Sequence, residues 1–225
     1  AAAAFARGSI AFADQEEWQR RFGRLRAGRR LIQEDHARLL ELLAEDGPDA
    51  FYDGPIGHDL VSVLAAGGSA MTLEDLRAHR VVEVEPISTR FADLDILELP
   101  PPTQGVTAAT ALRIVEQLGR PGDPVRSAHL QIEAIKIALH DRGAFLTDPR
   151  HMKVTVDALL AADRIRRLAA EIDPKRAAPW PPTVATPGGT AYLCAADGGG
   201  RSISLIQSNY MGFGSGVVLP SFGIG

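Results

Sequence analysis

Apolar residues recur at helical spacing in the first third of the chain. Between residues 31 and 44 they predict an amphipathic helix, which Gly47 and Pro48 end. A second helix is predicted over residues 56–66, with two glycines after it as a stop signal. Thr72, followed three residues later by Asp75, predicts a capping box that opens a short helix ending at residue 79.

The apolar period then changes from helical to alternating and back. Residues 81–84, 87–91 and 95–99 predict short β-strands. Three further helical segments follow, over residues 105–119, 129–142 and within 156–172, and Ser127 is the expected cap of the middle one. The charged residues Glu133, Lys136, Asp141 and Arg142 on that helix predict a solvated or ion-paired face.

The last quarter of the chain combines a proline-rich linker with a hairpin pattern. Residues 174–189 contain five prolines and no periodicity, which predicts a linker. Apolar runs at 190–196 and 201–208 flank an Asp-Gly-Gly-Gly sequence, which predicts a β-hairpin. We expect this hairpin to be buried, with Tyr192 and Cys194 as core residues. A glycine-spaced loop is predicted after it.

Composition and charge exclude several classes of protein. The chain of 225 residues has a formal net charge of −4, which argues against nucleic acid as a main partner. No apolar run reaches the length of a transmembrane helix, so no membrane partner is expected. One cysteine excludes an internal disulfide framework. The histidines show no metal-ligand spacing, and we expect neither a metal nor another cofactor.

The candidate nucleophile is Thr190, which follows Gly188 and Gly189 and opens an apolar run. Cutting the Gly189–Thr190 bond would place a free α-amine on the residue that carries the hydroxyl, so that one residue supplies nucleophile and base. Small residues before the bond would let the peptide bend into a strained turn. Thr183 and Thr186 are rival candidates, but they lie in the proline-rich segment without a strand directly after them.

Five segments in order resemble the gamma-glutamyltranspeptidase family. The modest motifs FYDG, TLEDL, PPPTQG and EAxKxAxxDR form a specific set in this order. The segments are AEDGPDAFYDGPIG (44–57), GGSAMTLEDLRAHRVVEVEPI (67–87), LELPPPTQG (97–105), HLQIEAIKIALHDRGAFLTDP (129–149) and TAYLCAADGGGRSISLIQSNYMGFGSGVV (190–218).

The resemblance implies a fold and a set of roles. It implies an α+β protein, an αββα N-terminal-nucleophile hydrolase sandwich, here as an incomplete chain. Residues 1–189 would be the end of a large subunit, and 190–225 the start of a small subunit released by self-cleavage. Thr190 would be the catalytic residue, with Ser208 holding its amine. Asn209 and Tyr210 fall where the family binds substrate.

The departures from the family pattern keep the substrate open. A family asparagine falls on Tyr210, one position after Asn209, and Tyr192 replaces a histidine. The expected activity is hydrolysis or transfer of γ-glutamyl amides such as glutathione. The alternatives are an acylase of the cephalosporin type, acting on other acyl amides, and a non-catalytic or uncleaved relative.

The remaining expectations concern partners and the extent of the chain. The two subunits of one precursor are expected to stay together, with a homo-oligomer of such pairs as a further possibility and the cytoplasm as the favoured compartment. No residue matches the family's substrate-binding arginine or its Pro-Gly-Gly oxyanion segment. We therefore expect the chain to be the middle of a longer precursor, without the true N-terminus.

Overall fold

The computed structural model describes residues 2–180, 190–210 and 213–225. The chain divides into two compact units. The first joins Ala1–Val81 to Val184–Gly225, and the second is Val82–Thr183. The first unit therefore draws on both sides of the Gly189–Thr190 bond.

The first unit contains short helices and a two-stranded sheet. Its helices among the described residues are α1 (Ala2–Ala11), α2 (Glu16–Phe22), α3 (Glu34–Asp46), α4 (Asp49–Tyr52), α5 (Pro55–Ala66) and α6 (Leu73–Ala78). The predicted capping box is confirmed. The Thr72 hydroxyl accepts a hydrogen bond from the Asp75 N–H at 3.3 Å, and the Asp75 carboxylate accepts one from the Thr72 N–H at 2.8 Å.

The segment after residue 212 closes two hydrophobic clusters of the first unit. Trp18 and Phe22 of α2 pack with Val218 and Phe213, and their rings lie within 5 Å of one another in the Trp18–Phe22 and Trp18–Phe213 pairs. Phe222 packs in a second cluster around α3, α4 and α5. The predicted loop is thus largely without regular structure, yet it supplies core residues.

Arg21 fixes this terminal segment to the helices. Its guanidinium pairs with Asp35 of α3 at 2.8 Å and donates to the Pro220 carbonyl at 2.6 Å. Gly223, at φ +69°, comes so close that an added Cβ would lie 2.8 Å from the Arg21 guanidinium. A side chain at position 223 would therefore be strained, and it would displace the Arg21 guanidinium.

The hairpin of the first unit consists of β3 (Ala191–Ala196) and β4 (Ser202–Gln207), which pair antiparallel with Tyr192 opposite Ile206 and Cys194 opposite Ser204. Because side chains alternate along a strand, Tyr192, Cys194 and Ser204 share one face. Leu193, Ile203 and Leu205 share the other face.

Both strands of this hairpin are exposed throughout, which corrects the expectation of a buried hairpin. Apolar alternation indicates a strand that has a face to bury. It does not say what covers that face, and among the described residues no other element packs extensively against it.

Asp197 organises the turn of the hairpin. Its carboxylate accepts hydrogen bonds from the N–H groups of Gly199 and Arg201, at 2.9 and 3.0 Å, and from the Arg201 guanidinium at 2.7 Å. The bond from the Arg201 backbone, followed by that from its side chain, holds the pKa of Asp197 below its usual range. Asx-type bonding of this kind fixes the direction of the chain through the glycines.

The second unit packs helices around one hairpin. Its elements among the described residues are β1 (Ile87–Phe91), β2 (Leu94–Glu98), α7 (Gly105–Leu118), α8 (Pro124–Phe145), a 3₁₀ helix (Pro149–His151), α9 (Val156–Leu159) and α10 (Ala162–Ala170). Ile114 of α7 packs with Leu130 and Ala134 of α8 and with Ile165 of α10. Arg113 of α7 donates to the Thr89 hydroxyl at 2.7 Å, which ties the helix to β1.

Two predictions between residues 81 and 145 are wrong. Residues 81–84 form no strand, because the two strands that do form, at 87–91 and 94–98, pair with each other and leave this stretch outside the ladder. Helix α8 begins at Pro124, before the predicted cap at Ser127. Asp123 is the cap, since its carboxylate accepts from the Arg126 N–H at 2.7 Å.

Candidate functional site

The start of β3 and the end of β4 bring two hydroxyls together. The Thr190 hydroxyl donates to Ser208 Oγ at 3.1 Å. The antiparallel register explains this contact, because Ala191 pairs with Gln207 and the next residues outward are Thr190 and Ser208. Both residues are exposed, so an incoming molecule can reach the Thr190 hydroxyl.

Ser208 also fixes the chain that follows it. Its hydroxyl oxygen accepts a hydrogen bond from the Tyr210 N–H at 2.9 Å. Tyr210 has φ +66°, which is uncommon for a residue with a side chain. The Ser208 bond therefore stabilises a strained turn directly after the strand.

The two predicted substrate residues lie in different surroundings. Asn209 lines a cavity of about 150 Å³ in the first unit, whereas the Tyr210 side chain is 82% exposed. The cavity is mostly apolar and aromatic. Its other lining residues include Trp18, Phe22, Gln33, Phe213 and Val218.

The cavity has a buried hydrogen-bond donor in its wall. Trp18 is 3% exposed, and its indole N–H has no hydrogen-bond partner among the described residues. The sequence gives no sign that Trp18 and Phe213 meet, because Phe213 lies in the predicted glycine-spaced loop and Trp18 lies near the start of the chain. The cavity forms where Trp18 contacts Phe213, about 200 positions later in the chain, and local sequence patterns do not predict such a contact.

The upstream half of the proposed scissile bond lies outside the described residues. Gly188 and Gly189 belong to that part of the chain, as do the rival candidates Thr183 and Thr186. In this continuous chain the Thr190 nitrogen is an amide, so Ser208 meets the hydroxyl of Thr190. The predicted contact between Ser208 and a free amine stays a prediction for the cut protein.

Tyr192 and Cys194 are both exposed, which corrects their expected burial. The Tyr192 hydroxyl accepts from Ser204 Oγ at 3.2 Å across the hairpin. These two residues therefore continue, on one face of the sheet, the row of polar groups that Thr190 and Ser208 begin.

The charged residues of α8 are partly buried. Glu133 is paired with Lys136 at 2.7 Å, and Asp141 with Arg164 at 2.7 Å. The expectation of an ion-paired face is confirmed for these two acids, while the alternative of a solvated face is wrong for them. Across residues 2–180, 190–210 and 213–225, no three His, Cys, Asp or Glu side chains gather as a metal site would require. Within the same ranges, no helix has both the length and the apolarity to span a bilayer.

The whole chain, residues 1–225, matches the family model described as gamma-glutamyltranspeptidase. It is 40% identical over 200 residues to an oxamate amidohydrolase proenzyme of Klebsiella pneumoniae subsp. pneumoniae. It is 35% identical over 202 residues to the glutathione hydrolase-like YwrD proenzyme of Bacillus subtilis. In both comparisons, 88% of this chain aligns, and it spans only 38% of the relative's length.

Solved structures give the same assignment of the fold. A cephalosporin acylase from Bacillus halodurans superposes with a TM-score of 0.87 at 36% identity, covering 99% of this chain and 42% of that one. A gamma-glutamyltranspeptidase from Pseudomonas nitroreducens superposes with a TM-score of 0.70 at 26% identity, covering 77% and 53%. The expected α+β N-terminal-nucleophile hydrolase fold is confirmed by these likenesses.

Proposed function

Because this chain belongs to the gamma-glutamyltranspeptidase family, we propose that the full-length protein cuts its own Gly189–Thr190 bond and then hydrolyses amides with Thr190. The observation that carries the proposal is the 3.1 Å contact between the hydroxyls of Thr190 and Ser208. It holds an exposed hydroxyl on the residue directly before β3, where a cut would add a free amine.

The self-cleavage is an N-to-O acyl shift followed by hydrolysis. The Thr190 hydroxyl attacks the Gly189 carbonyl carbon, the C–N bond breaks, and the nitrogen takes the hydroxyl proton. Gly189 is then an ester on Thr190 Oγ1. Water hydrolyses this ester, which gives a Gly189 carboxylate and a Thr190 with free amine and hydroxyl.

The mature enzyme would use the same hydroxyl on a substrate amide. The Thr190 amine takes the hydroxyl proton, directly or through water, as Oγ1 attacks the substrate carbonyl. The amine of the substrate leaves, and water or an amino acceptor takes the acyl group from Thr190. Ser208 orients the nucleophile throughout, by accepting its hydrogen bond before the cut and by meeting its amine afterwards.

Two substrate classes compete: γ-glutamyl amides such as glutathione, and other acyl amides. Tyr210 favours the second class, because it is exposed and phenolic at the position where the family resemblance expects an asparagine amide. The small cavity beside Asn209 supports the same choice. Ligand sites usually measure about 300–1,000 Å³, so about 150 Å³ would hold only a short acyl group.

Two of the similar proteins have names that refer to amides other than glutathione, whereas the Bacillus subtilis relative is named glutathione hydrolase-like. The relative at 40% identity is called an oxamate amidohydrolase, and the structure with TM-score 0.87 a cephalosporin acylase. We propose a short acyl amide of the oxamate kind as the first substrate to test, with γ-glutamyl and glutaryl amides as comparisons.

The two cleavage products would stay associated as subunits. Phe213, Val218 and Phe222 follow the cut in sequence, and they pack into clusters with Trp18, Phe22 and Leu39, which precede it. Burial of this apolar surface persists whether or not the backbone is continuous.

The test of self-cleavage is denaturing mass spectrometry of the full-length protein. Wild type is expected to yield two chains, the smaller beginning Thr-Ala-Tyr-Leu. Thr190→Ala is expected to yield one uncut chain, and Thr190→Ser to restore the cut. Cleavage of the Thr190→Ala protein at the same bond would contradict the proposal.

The same preparations test the substrate. Ammonia release from oxamate is compared with release of the chromophore from γ-glutamyl and glutaryl anilides. A higher kcat/KM for γ-glutamyl anilide than for both other amides would reject the short-acyl assignment while leaving the self-cleavage in place.

A further inference from the structure

Both backbone polar groups of Ala178 are bound by one buried ion pair on α8. The Glu133 carboxylate accepts a hydrogen bond from the Ala178 N–H at 3.1 Å, and Lys136 Nζ donates to the Ala178 carbonyl at 2.9 Å. Lys136 Nζ lies 2.7 Å from Glu133 Oε1, and Glu133 is only 4% exposed. We call these two residues the α8 clamp.

The same face of α8 holds the chain a second time, just upstream. His129 Nε2 lies 2.8 Å from the Asp173 carbonyl oxygen. His129, Glu133 and Lys136 are spaced four and three residues apart, which places them in one row along the helix. Residues 173–178 therefore run along α8 between two fixed points.

Stability alone does not explain the α8 clamp. A buried ion pair is often no better for stability than apolar residues of the same size. The contacts of α8 with α7 and α10 are made by Leu130 and Ala134, on the side that faces Ile114 and Ile165. The ion pair adds two hydrogen bonds to the backbone of Ala178, one to its N–H and one to its carbonyl.

The held residue lies shortly before the proposed cut. Eleven residues, 179–189, separate Ala178 from Thr190. We infer that Glu133 and Lys136 are positioning residues for self-cleavage, which fix the upstream end of the segment that presents the Gly189 carbonyl to Thr190. This inference rests on the proposed self-cleavage, and it assigns the α8 clamp no role in the hydrolysis of substrate.

The size of the change in cleavage rate distinguishes positioning of the reacting groups from simple tethering of the chain. Without the α8 clamp, the next fixed point upstream is Asp173, held by His129, and the span before Thr190 grows from 11 to 16 residues. If the span acted only as a chain joining two fixed ends, this change would alter the rate at most about twofold. A misplaced reacting group costs far more, up to about 10²-fold for a shift of about 1 Å.

The experiment follows self-cleavage of the full-length protein after a pulse of cell-free synthesis. Glu133→Leu with Lys136→Met removes both contacts to Ala178 and replaces the charges by side chains of similar size. Asp163→Asn is the matched control, because it breaks an ion pair with Arg167 that is exposed on α10 and holds no other segment.

We expect the double variant to cleave about tenfold more slowly or worse, and the control to stay within twofold of wild type. Once cleaved, the double variant is expected to show a kcat/KM per cut chain within twofold of wild type. A cleavage rate within twofold of wild type overturns the inference and leaves the proposed function intact. A wild type that never cuts before Thr190 overturns both.

A second variant decides the matter if the first does not fold. Ala178→Pro deletes the N–H that Glu133 accepts and keeps the carbonyl that Lys136 binds, at a position that already precedes a proline and is therefore biased towards extended backbone. Ala178→Ser keeps that N–H and is its control. Slow cleavage by the proline variant alone supports the α8 clamp, and equal rates for the two refute it.

Discussion

At the scale of single residues, the chemistry depends on the contact between the hydroxyls of Thr190 and Ser208. Ser208 Oγ accepts from the Thr190 hydroxyl and from the Tyr210 N–H, so it orders the nucleophile and the turn after β4 at once. A serine hydroxyl is a poor base. Ser208 therefore orients the Thr190 hydroxyl but does not deprotonate it. The base has to be the amine that the cut creates.

Replacing Ser208 by alanine is expected to slow self-cleavage by about 2- to 10-fold. One hydrogen bond contributes about 0.5–1.5 kcal/mol, and about 1.4 kcal/mol corresponds to a factor of ten in rate. Ser204→Ala is the control, since Ser204 lies on the same face but bonds to Tyr192. The measurement is the half-life of the uncut precursor. Equal half-lives for the two variants would remove Ser208 from the site.

At the scale of elements, the stability of the second unit depends on how α7 packs against α8 and α10. Ile114 is fully buried at that junction, whereas Ile132, on the far side of α8, is 55% exposed. Two isoleucines in neighbouring helices therefore differ chiefly in whether water reaches them.

Ile114→Ala is expected to lower the free energy of unfolding by about 2–5 kcal/mol, because the lost side chain leaves a cavity. Ile132→Ala is expected to change it by no more than about 0.5 kcal/mol. Urea denaturation followed by circular dichroism compares the two. Similar losses for both would show that α8 uses its exposed face for packing in the full-length protein.

The elements that could be predicted are those whose signals are local. Thr72 and Asp75 mark the start of α6, and the glycine turn marks the β3–β4 hairpin. Ser208 came from the family resemblance and not from a local signal, and the structure brings its hydroxyl to that of Thr190. Local signals could not show that Asp123 and Pro124 extend α8 by a turn. They also could not show that Glu133 is buried, because its burial depends on a segment 45 residues away.

The division into units, at the scale of the whole molecule, differs from the division by cleavage. Residues before 82 and after 189 build one unit, so the cut would leave that unit made of two chains. The second unit lies wholly upstream of the cut, and it carries the α8 clamp.

The α8 clamp gives the stability a defined pH dependence. Burial raises the pKa of Glu133, but the hydrogen bonds from Lys136 and from the Ala178 N–H outweigh it and lower the pKa below its usual value of 4.5. A lowered pKa means that the unfolded chain binds the proton more readily. The stabilisation is therefore present above pH 4.5 and is lost as the pH falls through the lower, folded value.

Wild type is accordingly expected to lose more stability between pH 6 and pH 3 than Glu133→Leu with Lys136→Met. Other carboxylates with lowered pKa values, such as Asp163 and Asp197, are common to both proteins and cancel in the difference. Urea denaturation at a series of pH values gives the comparison. Parallel curves for the two proteins would show that Glu133 is not ionised and paired as described.

The alternation of side chains along β3 makes the hairpin a convenient place for an optical probe. Cys194 is the sole thiol in these 225 residues, is open to solvent, and lies on the same side of the ribbon as Tyr192, four positions from Thr190. At about 3.3 Å per residue the sulfur sits roughly 13 Å along the strand from the nucleophile. A maleimide fluorophore attached there would brighten or dim as maturation changes the surroundings of the ribbon, without altering any group that reacts.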